Sequence, residues 1–330
     1  MAWIPVLKAG SNDGARLSLN PTNQRPCPVC GAQEARSLFV VREDRFGEDW
    51  EGGLVECLLC GCWFLENPPG AEELSGFYQR CYGHYEALLA PGKVQYKWVL
   101  DRFGLKRLLR TGEPSLVSTR GILGPRVLDF GCHDGSLLHA LERRGLEVFG
   151  YEPHPTPELQ HASILTGPLE DLVASLEPVD DIVFSQVLEH LPAPLETLRR
   201  MRCLLKAGGR FHIRVPNLSS PWRKLVGTAW IHWHPPFHLQ HFSIEHLDRL
   251  ALDLGMTRLA ARQATPTDWL VANLRAWLLR KPALPNKRFH RPYPSEIYLA
   301  ARFLNAIVAP FGGGDLLETV YQLRGDAHGR

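Results

Sequence analysis

Apolar positions along this chain change their period several times, and the changes mark its elements. Ser37 to Val41 and Leu54 to Cys57 are short runs of strand character bounded by polar and glycine-containing turns. Pro68 and Pro69 then interrupt the chain, an aromatic run follows at Phe77, Tyr78, Tyr82 and Tyr85, and Val99 to Leu109 carries apolar residues at helical spacing. From Arg126 the pattern becomes strand, glycine loop, helix, strand: Val127 to Phe130, Gly131 to Gly135, Ser136 to Arg144, and Leu146 to Tyr151. That order opens a βαβ unit. Farther on, Leu247 to Leu254 reads as a helix ended by Gly255, Met256 to Ala261 as a strand, and Gly314 to Leu323 as a closing strand. Between the last two strands, Trp269 to Leu279 and Ser295 to Val308 read as apolar helices flanking a basic, proline-containing stretch, Arg280 to Pro294. The expected organisation is a small domain over 1–75, a helical bridge over 76–120, and an α/β domain over 121–330 with a helical insertion at about 265–310.

Composition narrows the classes. The chain has 330 residues, 45% of them apolar and 22% charged, with a net charge of +2, which suits an ordinary folded protein and excludes wholesale disorder. So small a charge lacks the basic field of a chain built to coat nucleic acid, and nucleic acid is not an expected partner. The longest uncharged stretch, Leu225 to Ile244, holds four histidines and two adjacent prolines, so no transmembrane span is expected. Met1 to Asn20 lacks the apolar core of a signal peptide, and the expected location is cytoplasmic.

Eight cysteines without a secretion signal point to thiols or metal ligands rather than disulfides. Cys27-Pro28-Val29-Cys30 and Cys57-Leu58-Leu59-Cys60 are two CxxC pairs 26 residues apart, each followed by a glycine. Four soft thiolates in such knuckles suit a structural Zn²⁺ with no open position, and a ribbon this small would depend on its metal and unfold locally without it. Cys62 is a substitute ligand by position, whereas Cys81, Cys132 and Cys203 lie far from both knuckles.

The glycine loop after Phe130 lets the backbone approach a ligand, and Glu152, 17 residues beyond Gly135 at a strand end, can accept both hydroxyls of a ribose. Neither a phosphate-binding Gly-Lys-Ser/Thr ending nor a G-x-G-x-x-G fingerprint is present, and Asp129 beside the loop disfavours a pyrophosphate. The run Val127-Leu128-Asp129-Phe130-Gly131-Cys132-His133-Asp134-Gly135 resembles the first motif of class I S-adenosylmethionine-dependent methyltransferases, with His133 in place of the middle glycine. The loop and the four-cysteine start together are similar to the branch that includes sugar C-methyltransferases. Gly167 to Asp171 as a turn, Asp181 to His190 as a fourth strand, Leu195 to Leu205 as a helix and Arg210 to Val215 as a fifth strand extend the resemblance. It implies a Rossmann-like, mostly parallel seven-stranded sheet with helices on both faces. It also implies S-adenosylmethionine held by Gly131 and Gly135, with Asp129 at its amino end, Glu152 on the ribose, Leu169 beside the adenine, and Gln186 completing the set.

A sulfonium methyl needs only a placed nucleophile and a group to take its proton. His190 follows the fourth strand at the ligand-binding edge, and an ordinary imidazole, with a pKa of about 6.5, can take a proton at neutral pH. The run Trp230 to Phe242 alternates aromatics with His232, His234, His238 and His241, of which His238 and His241 are further candidates. No carboxylate lies within that run, which disfavours a metal there, and Phe237 stands where the sugar methyltransferases carry a glutamate before the histidine. The insertion is expected as a lid or a dimer contact, its basic residues as a solvated run or a hold on an anionic acceptor. The expected activity is methyl transfer to a small-molecule or saccharide-linked acceptor. Two rivals remain open: an RNA methyltransferase, against which Ser185-Gln186-Val187-Leu188 replaces the Asn-Pro-Pro-Tyr type sequence, and a catalytically degenerate binding scaffold.

Overall fold

A computed structural model describes residues 25–82, 119, 121–153, 155, 161, 163–279, 295–308 and 313–324. The expected helix over Val99 to Leu109, Tyr85, and the basic stretch Arg280 to Pro294 lie outside these residues.

The larger sheet has seven strands: β4 (Arg126–Phe130), β5 (Glu147–Tyr151), β6 (Ile164–Leu165), β7 (Val179–Ser185), β8 (Leu205–Pro216), β10 (Met256–Ala264) and β11 (Leu316–Leu323). Their order is β10-β11-β8-β7-β4-β5-β6. β11 runs antiparallel to both of its neighbours, and every other pairing is parallel. The central strands are buried on both faces, as their nearly unbroken apolar sequences require: Val127, Leu128, Ile182, Val183 and Phe184 are inaccessible to solvent. Parallel pairing demands crossovers, and the helices Ser136–Glu142, Leu169–Ser175 and Pro194–Arg202 supply them. The expected α/β Rossmann-like sheet is therefore present.

One expected strand divides in two. The run Asp181 to His190 ends as a strand at Ser185, Gln186 takes a left-handed φ of 59°, and Leu188–His190 forms a 3₁₀ turn. The break carries the chain out of the sheet at its carboxyl edge, where Glu189 and His190 then sit.

A second sheet combines β1 (Ala35–Arg42), β2 (Glu51–Cys57), β3 (Trp63–Leu65) and β9 (Gln240–His241) in that order. The expected ribbon thus takes its fourth strand from the histidine-rich run, with Trp63 opposite His241 and Phe64 opposite Gln240. Its interior is continuous with the larger sheet: Cys27, Val29, Cys57 and Phe64 belong to the same buried cluster as Phe184, Val215 and Phe242. The helix Ala71–Tyr82 follows, and its Leu74 and Phe77 pack with Trp230, Trp233 and Phe237. The helices Thr267–Leu279 and Ser295–Val308 pack on one another through Leu270, Val271 and Ala301, with Trp222 between them.

Candidate functional site at the carboxyl edge of the sheet

The loop leaving β4 is built from left-handed residues. Gly131, His133 and Gly135 have φ of 76°, 46° and 71°, so the three alternate positions of the glycine motif share one backbone conformation even where the side chain is an imidazole. Only glycine adopts that region without cost, and His133 is strained there. At Gly131 space also matters, because a Cβ would stand 2.7 Å from Cγ2 of Val187. The loop is closed on the end of β5 by Gly131 N–H and Cys132 N–H donating to the Tyr151 carbonyl at 2.8 and 3.1 Å. Asp134 accepts from the Ser136 N–H and hydroxyl at 3.0 and 2.7 Å and so orders the first turn of the helix.

Of the expected cofactor residues, Asp129, Gly131, Gly135 and Glu152 lie on or against this loop. Glu152, directly after β5, accepts the His133 N–H at 3.2 Å through Oε2. Asp129 is 3% exposed; burial lifts its carboxyl to about 7 against the pull of Arg214, with Glu152 and Asp134 adding to the rise. Leu169 opens the helix Leu169–Ser175 after β6, half-buried. Gln186 N–H donates to the Arg214 carbonyl at 2.8 Å, while its buried Nε2 has no hydrogen-bond partner among the described residues. An acidic cradle, a backbone loop open to close approach and an orphaned buried amide are chemically suited to a nucleoside ligand with an amino group.

Beyond the exit of β7 lies a group of imidazoles, His190 half-buried and His232, His234, His238 and His241 buried. His190 Nδ1 pairs with the Tyr78 hydroxyl at 2.8 Å, and the Phe237 backbone also hydrogen-bonds its ring. Burial lowers its pKa to about 4, so the ordinary imidazole value expected from sequence does not apply. The ring of His238 lies 4.7 Å from that of His190 and perpendicular to it. His238 Nδ1 is 2.8 Å from the His232 carbonyl, which can only accept. The proton is therefore on Nδ1 and the lone pair on Nε2. His241, at 6.2 Å from His238, instead packs edge-on to Trp233 within the smaller sheet, and neither of its ring nitrogens has a hydrogen-bond partner among the described residues.

Two side chains that the sequence pattern did not single out complete the group. Tyr78 reaches in from the helix Ala71–Tyr82, and both Glu189 and Glu152 act on its hydroxyl electrostatically, so it spans the two halves of the site. Glu189 is 1% exposed, and burial pushes its carboxyl up to about 8. A conspicuous aromatic run gave a signal for Tyr78; for Glu189 the only signal was its place beside His190 at the end of the expected fourth strand.

The histidine run is anchored from behind. The buried Asp315 carboxylate accepts the Ser220 hydroxyl and Trp230 Nε1–H on Oδ1, and Asn273 Nδ2–H at 2.6 Å on Oδ2. Asn273 Oδ1 in turn accepts the Ile231 N–H at 3.0 Å, and the ring of Trp269 meets that of His232 at 4.2 Å. The insertion helix thereby holds the run through defined polar contacts.

The four knuckle cysteines also come together. Cys27 and Cys60 sulfurs are 3.5 Å apart, as are those of Cys30 and Cys57, and all four lie within 4.8 Å of one another. A tetrahedron with Zn–S bonds of about 2.3 Å has edges of about 3.8 Å, so this donor set fits the ion. Cys62 is not one of these four, but its thiol lies against Cys27 as well as near the Trp63 and His241 carbonyls at 3.8 and 3.7 Å.

The chain is similar in sequence to known methyltransferases. The ubiquinone biosynthesis O-methyltransferase of Aliivibrio fischeri is 27% identical over 181 residues, 48% of this chain and 77% of that protein. The one from Xylella fastidiosa is 36% identical over 123 residues, 33% and 49% of the two chains. The one from Aeromonas salmonicida is 26% identical over 148 residues, 41% and 55%, so the chain spans about half the length of several of the curated relatives it matches. Among solved structures, a SAM-dependent methyltransferase from Archaeoglobus fulgidus overlaps 69% of this chain and 94% of its own, with a TM-score of 0.40 and 19% identity. Magnesium protoporphyrin IX methyltransferase from Synechocystis overlaps 58% and 92%, with a TM-score of 0.40 and 15% identity. The family model described as a methyltransferase domain matches residues 96–260, half of the chain, and the chain belongs to that family.

Proposed function

We propose that this protein transfers a methyl group from S-adenosylmethionine to a hydroxyl-bearing small molecule, a saccharide-linked one included, and that its four cysteines hold a structural Zn²⁺. One juxtaposition carries the reading: an acidic, glycine-lined cradle and a buried imidazole with its lone pair on a known nitrogen occupy the same carboxyl edge of the sheet. The bound donor supplies an activated methyl. Glu152 holds the ribose hydroxyls, Asp129 the amino end, and Gly131 and Gly135 allow the backbone to approach. His238 takes the acceptor proton at Nε2, while Tyr78 and the Phe237 backbone fix the ring of His190 beside it. Aromatic rings of Phe46, Phe77, Tyr78 and Phe237 meet at 5.0–6.5 Å, an apolar cluster beside His190 that keeps water from it. Oxygen is favoured as the acceptor atom because the relatives named above are O-methyltransferases.

Calorimetric titration of S-adenosylhomocysteine into the wild type and Glu152→Ala tests the cradle without knowledge of the acceptor. Binding in the micromolar range that weakens at least tenfold in the variant supports the reading; equal binding refutes the role of Glu152. Methyl transfer to a panel of catechols and nucleotide sugars then distinguishes the acceptor classes, and transfer that persists undiminished in His238→Gln refutes His238 as base.

A further inference from the structure

Glu189 is buried without an evident use. It lies in the turn Leu188–His190, and neither carboxylate oxygen has a hydrogen-bond partner among the described residues. Buried polar groups are normally paired, and an isolated carboxylate in an apolar interior is among the costliest exceptions. Its backbone is fixed: the Glu189 carbonyl accepts the Leu239 N–H at 2.8 Å, and Gln240 Nε2 donates to the Leu188 and Leu191 carbonyls at 2.7 and 2.9 Å. The turn is therefore tied to the same run that carries His238. One donor atom from each of Glu189, His190 and His238 falls within 4.8 Å of the others.

The neighbours of His238 otherwise oppose its protonation. His190, His232, His234 and His241 surround it, and burial with these rings holds its imidazole well below the ordinary value. Arg45 acts in the same sense on His232 and His234. Tyr78 contributes a neutral phenol on the far side of His190. The position directly before His238 is the fully buried Phe237, so the run itself offers no acid. His190 is engaged by Tyr78 and the Phe237 backbone, which leaves His238 as the ring a nearby carboxylate can serve.

We infer that Glu189, presented from the exit of β7, is the acidic partner of His238 and stabilises by its charge the imidazolium that forms there during methyl transfer. The inference rests on the reading of His238 as base. The acceptor O–H bond breaks and its proton passes to Nε2 of His238. The oxygen–carbon bond forms as the donor's sulfur–carbon bond breaks, and the imidazolium is balanced by the Glu189 carboxylate until the proton leaves to solvent. The cationic sulfonium of the bound donor favours the ionised carboxylate in the same way.

The test uses the full zinc-loaded chain saturated with S-adenosylhomocysteine, with ring-¹³C histidine observed by NMR from pH 9 down to the acid limit of the fold, because His238 titrates well below the ordinary imidazole range. The His238 signal is identified by its loss in His238→Gln. In Glu189→Gln its titration should move to lower pH by about 1–3 units, the usual effect of one opposite charge at this range, and Glu189→Asp should recover part of the shift. An unchanged titration in Glu189→Gln, with S-adenosylhomocysteine binding intact, overturns the proposal. A second zinc equivalent in the wild type that disappears in Glu189→Gln also overturns it, because the three side chains would then be metal ligands. Failure of the folded wild type to bind S-adenosylhomocysteine overturns the methyltransferase reading itself and this proposal with it.

Discussion

Replacing Asp315 by Asn keeps the shape of the side chain and reverses the polarity of one oxygen. Oδ1 serves the Ser220 hydroxyl and Trp230 Nε1–H, while Oδ2 serves Asn273 Nδ2–H. An amide oxygen left on Trp230 puts the new NH₂ against the NH₂ of Asn273. Flipping Asn273 does not help, because its Oδ1 already accepts the Ile231 N–H. At least one buried donor pair is left facing donors, and a hydrogen bond to a charged acceptor is lost, each worth about 1.5–3 kcal/mol. Burial works against the Asp315 charge and holds its carboxyl at about 6, so the amide recovers part of that cost. The net loss expected for Asp315→Asn is about 1–3 kcal/mol by urea unfolding at pH 8. The swap Asn273→Asp with Asp315→Asn restores an acceptor at position 273 for both the new amide and the Ile231 N–H, and should recover more than half of the loss. Asp315→Asn as stable as wild type, or a double variant no better than the single one, refutes the polarity reasoning.

Gly131→Ala should cost about 1–3 kcal/mol and weaken S-adenosylhomocysteine binding, since φ is 76° and the new Cβ meets Val187; adding Val187→Ala should relieve the contact but not the backbone strain, as paired melting and binding curves would show. Glu189 holds its proton more tightly in the folded than in the unfolded chain. The folded state therefore binds more protons between the ordinary carboxylate range and about pH 8, and stability falls as pH rises through that window. Glu189→Gln should flatten that fall and be the more stable protein at pH 8, read from urea midpoints across pH; a parallel decline in both proteins contradicts this. Chelation of zinc should lower the midpoint of one shared unfolding transition, not release the ribbon alone, because Cys27 and Cys57 lie in the cluster that holds Phe184 and Phe242. Tryptophan fluorescence and S-adenosylhomocysteine release that separate on chelation would contradict this.

The parallel sheet was legible from sequence because its signals are local: apolar runs of strand length, a glycine loop, and helices at regular intervals. Both CxxC knuckles were legible for the same reason. Less visible were pairings over long separations. β9 is two residues long, and nothing in Gln240-His241 distinguishes an added ribbon strand from a loop. The divided strand at Ser185 was masked by the apolar Val187 and Leu188, which continue the strand pattern while their backbone turns away. Among the cofactor candidates, Asp129, Gly131, Gly135 and Glu152 follow a motif whose spacing reflects backbone geometry, and they lie around one loop. Glu189 and Asp315 depend on burial and on partners more than 40 residues away, which residue type and spacing do not encode.

The two-residue strand β9 also limits how this protein can be recombined. It completes the cysteine-bearing sheet, and three residues before it Phe237 packs on Tyr78. An exchange of the histidine run for that of a related enzyme would remove an edge of the N-terminal sheet, and an exchange of the N-terminal sheet would release the run. The cysteine-bearing sheet and the histidine run are thus inherited together, and a chimera that exchanges one must carry residues 25–82 along with 230–242.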